Sequence, residues 1–140
     1  VATSTQVRRI AALTMGMGIL LATGLSPAGA TVKTGTINDI DCNATSVKTG
    51  VSLVQGHSGT FKIKQNSATD DRRTDWTARS SNGNDLGYKH TSTGDTVTWN
   101  GVLPSTYTVR ARKYVPSDCS PLNPFSDGSY DVTYTATSTN

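Results

Sequence analysis

An all-β fold, a single antiparallel β-sandwich of about seven strands, is predicted from three observations. Apolar and polar residues alternate with a period of two in stretch after stretch, which is the pattern of half-buried strands. Clusters of Gly, Asn, Asp and Ser separate those stretches, as turns require. Helix formers are scarce after residue 30: Thr, Ser, Gly and Asn abound, and all ten acidic residues are Asp. Short strands with one apolar face must pair across a core, and one domain suits a chain of 140 residues.

The first thirty residues stand apart. Arg8 and Arg9 precede an apolar run from Ile10 to Leu25, which ends before Ala28-Gly29-Ala30. A positive start, an apolar centre and a small-residue site predict a secretory signal peptide over 1–30, cleaved after Ala30. The run, about 16 residues, is short for a bilayer span, so no membrane association is expected after cleavage. The paired arginines leave the general secretory and twin-arginine routes both open. Val1 suits an alternative bacterial start codon, and equally a truncated chain. Loss of Arg8 and Arg9 leaves the remainder near neutral, although the whole chain has a formal net charge of +3. A near-neutral domain lacks the basic footprint of a nucleic-acid binder.

Residues 31–41, "TVKTGTINDID", are Thr-rich and β-prone. They are read either as an extra edge strand or as an arm that adds a strand to a partner through Val32, Ile37 and Ile40. The domain proper is expected over 42–140. "SVKTGVSLVQ" sets Val47, Thr49, Val51 and Leu53 on one face, and "GHSG" turns the chain. "TFKIKQ" alternates Phe61 and Ile63 with lysines, and "DWTARS" sets Trp76 and Ala78 against Thr77 and Arg79. After the turn "NGNDLG" comes the short candidate "LGYKH", then "TVTWNG" with Val97 and Trp99. "TYTVRARKY" alternates Tyr107, Val109 and Ala111 with polar residues. "SYDVTYTAT" does the same with Tyr130, Val132, Tyr134 and Ala136.

Two cysteines in an exported chain predict one disulfide, Cys42 to Cys119. Strand parity agrees. If successive strands from Ser46 run antiparallel, the sixth ends near Tyr114 at the pole where the first begins. Cys42 and Cys119 then lie at that pole together. The enclosed loop of about 77 residues is worth roughly 4–5 kcal/mol by loss of unfolded-chain entropy.

The corner "GVLPSTYTVRA" carries a Leu and a Pro ahead of a Tyr that opens a strand. With Leu103, Pro104 and Tyr107 in those places, it resembles fibronectin type III and related immunoglobulin-like sandwich domains. In that family the tyrosine hydroxyl bonds back to the backbone. The resemblance implies a binding or spacer module.

No chemistry-bearing constellation competes with that. There is no G-x-S-x-G or H-E-x-x-H motif. His57 sits in a turn, His90 ends a strand, and neither has metal-ligand spacing to the cysteines. No enzyme activity, cofactor or metal is expected. The charged segment "TDDRRTDW", with Asp70, Asp71, Arg72 and Arg73, is either a solvated loop or a docking patch. Parity brings it to the cysteine pole. There it meets the proline-rich "YVPSDCSPLNPF", with Tyr114, Val115, Pro116, Pro121, Leu122 and Phe125. Loops gathered at one end of a sandwich commonly bind partners. The expected function is therefore a secreted, extracellular, non-catalytic protein-binding module. It would serve as an adaptor subunit of a secreted assembly, a toxin assembly among them, or as an inhibitor of a secreted enzyme. The alternative is a lectin-like domain using Tyr88 and Tyr114 with Asn82, Asn84 and Asp85, its partner a glycan.

Overall fold

The computed structural model describes residues 29–42, 46–114 and 128–140. Eight strands run in chain order: β1 (Ala30–Asp41), β2 (Lys48–Gln55), β3 (Gly59–Ala68), β4 (Thr74–Ser80), β5 (Lys89–Thr91), β6 (Thr96–Val102), β7 (Ser105–Lys113) and β8 (Ser129–Thr139). They form two four-stranded antiparallel sheets, ordered β1-β8-β3-β6 and β2-β7-β4-β5. The all-β reading holds, and the seven stretches found by alternation are seven of these strands. Residues 1–28 of the expected signal segment, and Cys119, lie outside the described residues.

Residues 31–41 belong to β1, paired with β8 from Ala30↔Thr139 to Asp41↔Ser129. The arm is thus a strand of the protein's own sheet, and the sandwich begins before residue 42. Ile37 and Ile40 are both buried in the core, although three residues apart. In an unbroken strand that spacing would put them on opposite faces. The register shifts between them, and Asp39 takes a left-handed φ of 56°, as expected of a bulge. The Asp39 amide donates to Asp131 Oδ1 at 2.9 Å, which holds the bulge.

The core lies between the sheets and contains the residues that alternation selects. Phe61, Ile63, Trp76, Ala78, Val109, Ala111, Tyr134 and Ala136 are completely buried. One departure is in β2, whose register shifts between Thr49 and Ser52. That bulge, at Gly50 and Val51, leaves Thr49 exposed instead of on the inner face with Leu53. The tyrosine corner takes the expected form: Tyr107 OH donates to the Leu103 carbonyl at 3.0 Å. The order of strands is less regular. β8 lies between β1 and β3, and β2 sits beside β7. In the immunoglobulin arrangement the last strand lies beside the one before it.

Side chains close both seams between the sheets. At the β1–β2 seam, Lys33 Nζ donates to the Ser52 carbonyl at 2.8 Å and Ser138 Oγ to the Val54 carbonyl at 2.7 Å. The Val51 amide donates to Tyr134 OH at 2.7 Å. At the other seam Lys89 Nζ reaches the Thr98 carbonyl, and Trp99 Nε1 the Gly87 carbonyl. Tyr134 reaches across only because Gly35 and Gly50 lack side chains. A Cβ on Gly35 would stand 2.7 Å from the tyrosine oxygen, and one on Gly50 would stand 2.9 Å from its ring and closer still to the hydroxyl.

Tyr134→Phe should cost about 1–3 kcal/mol in chemical denaturation, because it strands the Val51 amide. Gly50→Ala should cost about as much or more through overpacking. The two changes together should cost less than their sum, since removing the hydroxyl makes room for the methyl group. Additive losses would show that the glycine and the hydroxyl are not coupled.

Candidate functional site

Strand directions bring the end of β1, the β3–β4 turn, the end of β7 and the start of β8 to one pole. Cys42 is buried there: its amide donates to the Gly128 carbonyl, and its own carbonyl accepts from Lys113 Nζ at 2.6 Å. The β3–β4 connection is a single 3₁₀ turn, Thr69–Asp71. Asp70 and Asp71 both adopt left-handed φ, 55° and 52°, conformations that Asp tolerates better than most residues.

Two buried side chains anchor the backbone that follows. Gln65 Nε2 donates to the Arg72 carbonyl at 2.7 Å. Gln65 Oε1 accepts from Thr91 Oγ1 at 2.8 Å, and Thr91 accepts from Trp76 Nε1 at 2.7 Å. All three side chains are buried, so the relay is shielded from water. Tyr130 OH donates to the Arg73 carbonyl at 3.1 Å and stands 3.1 Å from Thr74 Oγ1, leaving the threonine as that pair's donor. The carbonyls of Arg72 and Arg73 are therefore fixed from inside the core.

Outward from this anchor runs a face of arginines and aromatic rings on the β2-β7-β4-β5 sheet. Arg73 Cζ lies 4.6 Å from the centre of the Tyr114 ring, and His90 lies 4.4 Å from the same ring on another approach. Arg112 Cζ stacks 3.6 Å from the centre of Tyr88 while its Nε stands 3.4 Å from Asp75 Oδ2. At such distances the ring face attracts the guanidinium charge. Farther along, Asp85 takes a two-pronged contact from Arg79, at 3.1 and 2.7 Å, and a longer one of 3.4 Å from Arg110. The hydrogen bond from Arg79 holds the Asp85 carboxyl below its ordinary range and raises that arginine in turn. Among the described residues Arg79, Arg110 and Arg112 meet two carboxylates, Asp75 and Asp85, which leaves an excess of positive charge on this face. Thr77 lies beneath it, cross-strand from Arg110 and fully buried, and its hydroxyl has no hydrogen-bond partner among the described residues.

The residues named from the sequence divide three ways. Asp70, Asp71, Arg72, Arg73 and Tyr114 gather at the pole, as parity requires. Val115, Pro116, Pro121, Leu122 and Phe125 lie outside the described residues. Ile37 and Ile40 are core residues and cannot meet a partner; Val32 is exposed, 44%, but belongs to β1. Residues 31–41 are thus the edge strand of the two readings, at the end of its sheet and paired with β8. Sequence reading missed Gln65 and Thr91. For Gln65 there was a signal: it continues the inward register of Phe61 and Ile63, where a polar residue must find a partner. His57, in the β2–β3 turn, and His90 lie at opposite ends of the sandwich. Among the described residues no group of His, Cys, Asp or Glu could hold a metal ion.

No protein-family model matches the sequence, and no curated protein matches it. Among solved structures the chain is similar to the crystal structure of SPBc2 prophage-derived protein YomS, with 14% identity and a TM-score of 0.37. The likeness spans 77% of this chain and 96% of that one. A TM-score that low carries no argument about function.

Two outcomes are expected. Gln65→Leu should lower stability by at least about 2 kcal/mol, because it leaves the Thr91 hydroxyl and the Arg72 carbonyl without their partner. Asp85 has a folded pKa below its unfolded value of about 3.9. Its contribution is therefore complete above that pH and is lost as pH falls through the folded value. Melting curves across the acid range should show a shallower loss for Asp85→Asn. The difference should be within about 1 kcal/mol, since the pair is largely exposed.

Proposed function

We propose that this chain is an exported, non-catalytic protein-binding module that meets its partner through the pole of Arg72, Arg73 and Tyr114 and the cationic face beside it. The observation that carries this reading is the anchoring of the Arg72 and Arg73 carbonyls by buried Gln65 and Tyr130. A turn so held loses little freedom on binding, and reduced ordering cost is what favours a presented surface. Arginine and tyrosine are also the residue types that dominate binding hot spots. A disulfide from Cys42 to Cys119 belongs to the same proposal. It would tie the proline-rich segment 115–127 to the end of β1 and add it to the surface.

Adaptor and inhibitor differ in what the partner does to that segment. An inhibitor would be cleaved slowly and specifically within 114–125 while staying tightly bound to a protease. An adaptor would co-purify with a fellow subunit and stay intact. The lectin-like alternative finds no support at Tyr88 and Tyr114, whose rings are stacked by Arg112 and by Arg73 with His90.

Three measurements test the proposal. A partner captured from culture supernatant should be lost with Tyr114→Ala and with Arg73→Ala, and kept with Thr137→Ala on the opposite sheet. Equal capture by all of these would rule this surface out. Alkylation before reduction should leave the mass unchanged, and reduction should then lower stability by about 2–5 kcal/mol. Labelling of both cysteines without reductant would remove the disulfide from the proposal.

A further inference from the structure

The pole opposite Cys42 carries a groove of about 330 Å³ between the β4–β5 turn and the β6–β7 corner. None of its lining side chains is charged. Three asparagines line it, Asn82 and Asn84 from the turn and Asn100 from β6. All three are exposed, and no hydrogen bond to a described residue engages their amides. Apolar surface comes mainly from Leu103, 68% exposed, with Pro104 and half-buried Leu86, over a floor formed by the buried Trp99.

Both rims are rigid. The turn is closed by Ser80 N–H to the Asn84 carbonyl at 2.9 Å, Gly83 N–H to the Ser80 carbonyl at 2.8 Å, and Asn84 N–H to Ser80 Oγ at 3.2 Å. The corner is closed by Tyr107 OH on the Leu103 carbonyl, and Trp99 is fixed by its bond to the Gly87 carbonyl. The groove is thus in place before any ligand arrives.

We infer that this groove is a binding site for a neutral saccharide of one or two residues. Each asparagine amide offers a donor and an acceptor side by side, the arrangement that adjacent sugar hydroxyls complement. The apolar walls suit the C–H face of a pyranose ring. Sites of this kind combine apolar walls with a few converging polar groups. The absence of charge disfavours ionised ligands, which would lose hydration without gaining a counter-charge. The site is separate from the arginine-tyrosine face and does not depend on it.

The test is titration of the isotope-labelled protein with maltotriose, cellotriose and chitotriose, followed by amide chemical shifts. At least one sugar should move resonances within 82–86 and 99–104 saturably. Asn84→Ala and Asn100→Ala should each weaken binding about fivefold, the effect of one lost hydrogen bond. Arg73→Ala should bind as the unaltered protein does, and unchanged shifts elsewhere will confirm that each variant is folded. Three outcomes would overturn the site: no movement with any of the three sugars, binding that survives replacement of all three asparagines by alanine, or tighter binding of a hyaluronan oligosaccharide than of every neutral one.

Discussion

The contact between the Tyr134 hydroxyl and the Val51 amide is the constraint around which the sandwich is arranged. Tyr134 stands on β8, inside one sheet, and Val51 lies in the bulge of β2, at the edge of the other. A bulge frees a backbone donor, and a freed donor within a protein needs an acceptor. The tyrosine supplies one from across the core, while its ring packs 5.0 Å from Trp76. Gly35 and Gly50 leave the space it crosses. Three local irregularities, two glycines and a bulge, thus answer to a single side chain, and together they set the distance between the sheets at that seam.

From this seam the geometry passes to the opposite end of the core. Trp76, packed on Tyr134, sends its indole N–H into the Thr91–Gln65 relay, which ends on the Arg72 carbonyl. Arg72 and Arg73 therefore sit on a backbone whose position is decided by buried residues. Burying Gln65 and Thr91 would be unfavourable if either hydrogen bond were missing. The strands arrange the two so that each completes the other.

Much of the fold was legible in the sequence because the period-two pattern is strong. Trp76 with Ala78, Tyr107 with Val109, and Tyr134 with Ala136 all face inward as alternation places them. Parity brought Cys42, Arg72, Arg73 and Tyr114 to one pole because every connection reverses the chain. Alternation fails where a bulge shifts it. Residues 31–41 read as either an edge strand or an arm, because the spacing of Ile37 and Ile40 suits no single face until a left-handed Asp39 shifts the register between them. The candidate site was less legible. Cation–ring contacts such as Arg112 on Tyr88 depend on how strands distant in sequence lie beside one another. The uncharged groove depends on two turns, "SNGND" and "NGVLP", that a reading by strands treats only as punctuation.

The position of β8 has a consequence for handling the protein. Its stretch "TYTATST" is β-prone, uncharged and free of proline, the composition that favours cross-β stacking. In the fold it is flanked on both sides, by β1 and by β3, so neither of its backbone edges is open. Peeling away β1 alone would expose one edge of it. β1 is therefore the guard on that edge, and proteolysis or truncation that removed it should leave the chain more prone to aggregate.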